Sequence, residues 1–128
     1  MAIRVLLVDD VSDLRVMFRK AFERDPRFEV VGEAADGYEA IEQATAHQPD
    51  VIILDIAMPR MDGLQAIPLL HKASPPSKIL VLSGFDTTRV AAKALELTAT
   101  AFLEKGAPAA QIVTLAEKVH LSPPKTAS

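Results

Sequence analysis

The sequence predicts an α/β protein, with one parallel sheet of five strands and five helices packed on its two faces. Three observations carry that expectation. Five apolar runs of strand length recur along 128 residues, at Ile3–Val8, Phe28–Val31, Val51–Leu54, Ile79–Leu82 and Ala101–Leu103. The runs are near-continuous rather than alternating, as strands covered on both faces must be. Between them lie stretches with apolar residues at helical spacing, so strand and helix alternate through the chain.

The elements follow in order. After the first run, Leu14, Met17, Phe18, Ala21 and Phe22 make one apolar stripe, with Ser12 or Asp13 placed to cap its helix. Asp36 can cap the second helix, whose stripe is Ala40, Ile41 and Ala44. Asp62 can cap the third, striped by Leu64, Ile67 and Leu70, with Pro68 expected to distort it. Val90, Ala94 and Leu97 mark a fourth, started by Asp86 or Thr87. Ile112, Leu115, Ala116 and Val119 mark the fifth, where Pro108 suits the first turn. Past His120 the chain reads LSPPKTAS, which predicts a domain over residues 1–121 and a flexible tail or linker stub over 122–128.

Composition narrows the function classes. The length is that of one domain. Hydrophobic residues make up 49% and charged residues 24%, an ordinary globular balance. With 14 Lys and Arg against 17 Asp and Glu, the formal charge of −3 offers no basic footprint for nucleic acid. There is no Cys, hence no disulfide and no thiolate metal site. The start, MAIRVLLVDD, is too short in its apolar run for a signal or membrane segment, so a cytoplasmic protein is expected.

The residues that end the runs carry the chemistry. Asp9 and Asp10 follow the first, Asp55 the third, Ser83 the fourth and Lys105 the fifth. Ligands of open α/β sheets bind outside the carboxyl ends of the strands, where strand order reverses. If the first and third strands flank that point, three carboxylates converge there and repel one another unless a cation intervenes. An all-oxygen site of this kind suits Mg²⁺ or Mn²⁺ better than zinc. Metal, ammonium and hydroxyl together cradle a tetrahedral oxyanion such as phosphoryl, with Asp55 as the nucleophile that accepts it. Taken singly, each residue has an ordinary explanation: Asp10 as a helix-start residue, Asp9 as solvated, Lys105 as a surface lysine, Asp55 as a turn former. Only the set is specific.

At these residues the chain resembles a two-component response regulator receiver domain. The likeness runs from Ile3 to about Val119, through VLLVDD, GEAADGYEAI, ILDIAMPRMDG, ILVLSG and FLEK. It implies a doubly wound, flavodoxin-like sheet in the order 2-1-3-4-5 and phosphorylation of Asp55 by a sensor histidine kinase or a phosphotransfer protein. It further implies that Asp10, Asp55 and the backbone carbonyl of Ala57 ligate Mg²⁺ (or Mn²⁺), with Asp9 acting through water. Lys105 and Ser83 would hold phosphoryl oxygens. Ser83 and Phe102 would form the switch, Phe102 turning inward as Ser83 moves, and the lack of a Tyr hydroxyl at Phe102 predicts an inward bias before phosphorylation. Such a domain is a signalling switch rather than an enzyme, and can form homodimers through its fourth helix, fifth strand and fifth helix. It touches neither nucleic acid nor membrane itself.

Three departures from the family pattern shape further expectations. Gly106 follows Lys105 where many receivers have proline, and a cis peptide is costly without one. Thr98 stands where glycine usually ends the fourth helix, so that turn is rebuilt or loosened. Ala57 and Phe85, two residues after Asp55 and Ser83, cannot orient water, which predicts slow self-dephosphorylation. GEAADGYEAI and the tail resemble receivers that precede a helix-turn-helix DNA-binding domain or a methylesterase domain, so an output domain absent from this chain is the alternative reading. A Mg²⁺-dependent phosphatase with an aspartyl nucleophile is disfavoured, since Ala57 stands where its general acid would be.

Overall fold

The computed structural model describes residues 2–84, 93, 94, 96, 97 and 99–122. Its strands are β1 (Ile3–Val8), β2 (Phe28–Ala34), β3 (Val51–Asp55), β4 (Lys78–Ser83) and β5 (Ala101–Glu104). They form one parallel sheet in the order β2-β1-β3-β4-β5, as the resemblance implies. Four helices are described end to end: α1 (Ser12–Glu23), α2 (Gly37–His47), α3 (Gly63–Ala73) and a C-terminal helix, Ala109–Leu121. Lys93, Ala94 and Glu96 are helical where the fourth helix is predicted. Its proposed caps Asp86 and Thr87, together with Thr98, Phe85 and the tail beyond Ser122, lie outside the described residues.

The near-continuous apolar runs have a simple cause. Alternate residues of each central strand enter different cores. Leu6, Val8, Ile52, Leu54, Ile79 and Val81 pack with Ala40, Ala44, Ala66, Ile67 and Leu70 of α2 and α3. Val5, Leu7, Val51, Ile53, Leu80 and Leu82 pack on the other face with Phe18 and Phe22 of α1 and Ile112, Ala116 and Val119 of the C-terminal helix. Period two splits the side chains, and both halves must be apolar.

Several expectations need correction. Neither Ser12 nor Asp13 caps α1; both lie inside the helix, the N-cap is Val11, and no side chain takes that role. The preceding turn is held instead by Asp9 Oδ1, which accepts the Val11 N–H at 2.9 Å. β2 runs past Val31 to Ala34, because Gly32, Glu33 and Ala34 pair with Leu6, Leu7 and Val8 after a one-residue bulge. Pro68 leaves α3 continuous; it sits on the exposed side, where an unpaired carbonyl can be hydrated. Pro108 occupies the N-cap rather than the first turn. Met17, assigned to the buried stripe, is 44% exposed. Asp36 and Asp62 do cap α2 and α3, and Asp62 forms a capping box with Gln65.

Candidate functional site

Register brings the carboxylates together. Val8 lies opposite Leu54, so the next residues, Asp9 and Asp55, leave the sheet side by side. Asp9 is held by its own N–H to the Ala34 carbonyl at 3.0 Å, and Asp55 is the last residue of β3. Ligand oxygens of Asp9, Asp10 and Asp55 all lie within 4.8 Å of one another. Asp9 and Asp55 are buried, whereas Asp10 is exposed.

The cation of the cluster comes from the end of β5. The Lys105 N–H donates to the Ser83 carbonyl at 2.9 Å, and this fixes the residue's place beside β4. Its Nζ reaches Asp55 Oδ2 at 3.0 Å as a hydrogen bond and Asp9 Oδ2 at 3.4 Å as an ion pair only. Asp9 Oδ2 is buried with no hydrogen-bond partner. Lys105 thus pairs with two of the three carboxylates, which leaves the cluster short of positive charge. Burial pushes the Asp55 carboxyl from 3.8 up to about 6; the bond from Lys105 opposes this, and the charges of Asp9 and Asp10 reinforce it. Burial works against the Lys105 ammonium, but its bond to Asp55 and the nearby carboxylates outweigh that and raise its pKa.

Ser83 is buried at the end of β4, in the row next to Asp55. Ala57 is exposed in the loop after β3. Phe102 is half-buried and packs on the core face that includes Val81, Ala94 and Ala99. The Lys105–Gly106 peptide is trans. The orphaned Asp9 oxygen, the all-oxygen donor set and the excess of negative charge fit a hard divalent cation. A recess of about 660 Å³ between Ala21, Arg24, Pro26, Val113 and Thr114 shares none of these residues.

Sequence reasoning missed the groups that brace the site. Arg15 of α1 donates to the Asp9 carbonyl at 2.5 Å and to Glu33 Oε1 of β2 at 3.0 Å. Arg19 donates to the other Glu33 oxygen at 2.7 Å. Burial works against the Glu33 charge, but the two arginines outweigh it and lower the pKa. An arginine six residues after Asp9 on the first turn of a helix was the available signal. Gly63 stands in the sequence as one residue of the motif ILDIAMPRMDG, yet a Cβ there would meet the Asp55 carbonyl oxygen at 2.4 Å. Asp36, the cap of α2, also pairs with Arg60.

Comparison with known proteins agrees with this geometry. Residues 5–117 match the family model described as the response regulator receiver domain. Over 81 residues the chain is 47% identical to protein-glutamate methylesterase/protein-glutamine glutaminase 1 of Geobacter sulfurreducens, covering 63% of this chain and 22% of that protein. It therefore spans less than a quarter of that relative's length. The response regulator domain of Thermotoga maritima CheB superposes with a TM-score of 0.89 at 30% identity, over 97% of this chain and 100% of that one. A LuxR-family two-component response regulator from Aurantimonas sp. SI85-9A1 gives 0.87 at 29% identity, over 94% and 86%. With strand order, acidic cluster and family model in agreement, this chain belongs to the response regulator receiver domains of two-component signalling.

Proposed function

We propose that Asp55 accepts a phosphoryl group from a sensor histidine kinase or phosphotransfer protein. The single observation that carries this is the cluster itself, three carboxylates within 4.8 Å with the Lys105 ammonium 3.0 Å from Asp55. A carboxylate oxygen of Asp55 forms the new bond to phosphorus while the bond from phosphorus to the donor's imidazole nitrogen breaks. The electron pair leaves with the imidazole. Asp10, Asp55 and the Ala57 carbonyl would hold Mg²⁺ or Mn²⁺, with Asp9 acting through water. Such an ion, when bound, supplies positive charge to the phosphoryl oxygens. Lys105, released from its carboxylates, holds one phosphoryl oxygen and Ser83 another. These new charge-assisted bonds bias Phe102 inward, toward the core face on which it packs.

The kinase side is supported by α1. Val16 and Met17 of α1 are 50% and 44% exposed and Val11 at its N-cap is 43% exposed, apolar side chains open to a docking partner after the acidic pair. Among the described residues no helix is long and apolar enough to cross a membrane, and we place the domain in the cytoplasm as a non-enzymatic switch that touches no nucleic acid itself. The likeness to methylesterase and LuxR-family receivers favours an output domain of one of those kinds, read through the face around β5 and the C-terminal helix, which also serves for a homodimer. Sequencing the natural reading frame past Ser128 tests that part.

Mass spectrometry after incubation with Mg²⁺ and acetyl phosphate tests the main reading. One added phosphoryl group on the wild type, absent in Asp55→Asn, is the expected result. An adduct that persists in Asp55→Asn would refute the assignment. The same sample dates the adduct. Ala57 is exposed and apolar, so it cannot orient attacking water, and the phosphorylated form is expected to outlast minutes. Decay within seconds would show that another group activates water.

A further inference from the structure

The loop of residues 56–62 carries the Ala57 carbonyl, and its Ile56, Met58 and Met61 pack against the core. Ala57, Pro59 and Arg60 are exposed. At its base the loop is tied by the Gly63 N–H to the Ile56 carbonyl at 2.9 Å. At its tip Arg60 adopts φ 65°, a left-handed conformation that side-chain-bearing residues disfavour. Something must offset that strain, and α2 supplies it. The Arg60 guanidinium pairs with Asp36 Oδ2 and lies 3.6 Å from Glu39. The Gly37 N–H also donates to the Met61 carbonyl at 3.0 Å.

Asp36 is built for two tasks. Its carboxylate is 1% exposed. One oxygen accepts the Glu39 N–H at 2.9 Å and caps α2, and the other receives Arg60. Helix capping alone needs no charge, since asparagine caps as well as aspartate. A buried, ionised carboxylate with one oxygen reserved for a distant loop points to a second duty.

We propose that Arg60, through its ion pair with Asp36, is a positioning residue that holds the phosphoacceptor loop and with it the Ala57 carbonyl, setting the affinity for the divalent cation. The inference rests on the reading of the acidic cluster as a metal site. Arg60 donates no ligand; it acts through the loop backbone, three residues from Ala57.

The test is direct binding of Mn²⁺ to the full chain, read from the loss of the free-ion paramagnetic resonance signal with no phosphodonor present. Arg60→Gly suits the left-handed backbone and removes an exposed side chain together with its guanidinium, so the fold should persist. It is expected to weaken Mn²⁺ binding about tenfold, the lower end of what supporting groups around a metal contribute. Arg60→Lys should restore part of the affinity. Asp36→Asn keeps the cap and should match Arg60→Gly, and the double variant should bind no more weakly than either single one, because one pair is being broken. A merely structural role would lower the melting point and leave affinity unmoved. Wild-type affinity in folded Arg60→Gly and Asp36→Asn would overturn the latch alone. A wild type that binds no Mn²⁺, or whose binding survives Asp10→Asn and Asp55→Asn, would overturn both the latch and the metal-site reading.

Discussion

Asp55→Asn is expected to make the metal-free protein more stable while it abolishes phosphoryl uptake. The Asp55 carboxyl rises from 3.8 to about 6 because burial penalises its charge more than Lys105 relieves it. At pH 7 the group is ionised in both states, and a shift of this size corresponds to roughly 3 kcal/mol against the fold. Asparagine has nearly the same shape without the charge, so a gain of about 1–3 kcal/mol and several degrees in melting temperature should follow. Lys105 keeps Asp9 as a partner.

The pH dependence has a definite sign. A carboxyl whose folded pKa is raised favours folding when protonated. Relative to Asp55→Asn, the wild type should therefore recover stability as pH falls through about 6 toward 3.8, and the gap should close there. Added Mg²⁺ should narrow the same gap at pH 7. Thermal unfolding followed by circular dichroism at pH 7 and near pH 4 measures all of this. A variant less stable than the wild type at pH 7, or a gap indifferent to pH, would contradict the account. The destabilised carboxylate is what function demands of the site, and stability is surrendered there for it.

The fold was legible because its signals are local. Val51–Leu54 ends in Asp55, and both the burial of the run and the charge at its end follow from a strand inside a two-sided sheet. That Asp9, Asp10 and Asp55 converge with Lys105 beside them was readable for the same reason, each standing at or just past the end of an apolar run. The failures are nonlocal. Ser12 and Asp13 are good caps by type, but the turn set by Asp9 puts Val11 at the cap position instead. The end of β2 depends on its partner β1 and a bulge, which no window of β2 alone encodes. Arg15 and Arg60 read as solvated charges until the fold sets them against Glu33 and Asp36, 18 and 24 residues away.

Gly63→Ala should damage both stability and the site, and far more than the same change at Gly37. Each glycine is the first residue of a helix, α3 or α2, so propensity favours alanine equally at both. The difference lies in what the new methyl meets. At Gly63 it falls 2.4 Å from the Asp55 carbonyl oxygen, 2.9 Å from Ile56 Cα and 3.1 Å from the Asp55 carbonyl carbon. All three are main-chain atoms. Relieving the first contact even to 3.0 Å requires a shift of about 0.6 Å, and whatever moves carries Asp55 or its loop with it. At Gly37 the methyl meets Met61 Cγ at 2.5 Å, Sδ at 2.7 Å and Cβ at 2.8 Å. The outer two atoms can leave by a rotamer change, and only the Cβ asks the loop to yield slightly. Gly63→Ala is therefore expected to cost about 2–4 kcal/mol and Gly37→Ala less than about 2. Phosphorylation by acetyl phosphate should fall at least about tenfold in Gly63→Ala at temperatures where it remains folded, since small misplacements of a nucleophile are expensive. Chemical denaturation gives the stabilities, and mass spectrometry of the adduct gives the rates. Equal losses at the two positions would mean that the α3 start does not press on the Asp55 backbone, and that the glycine serves the turn alone.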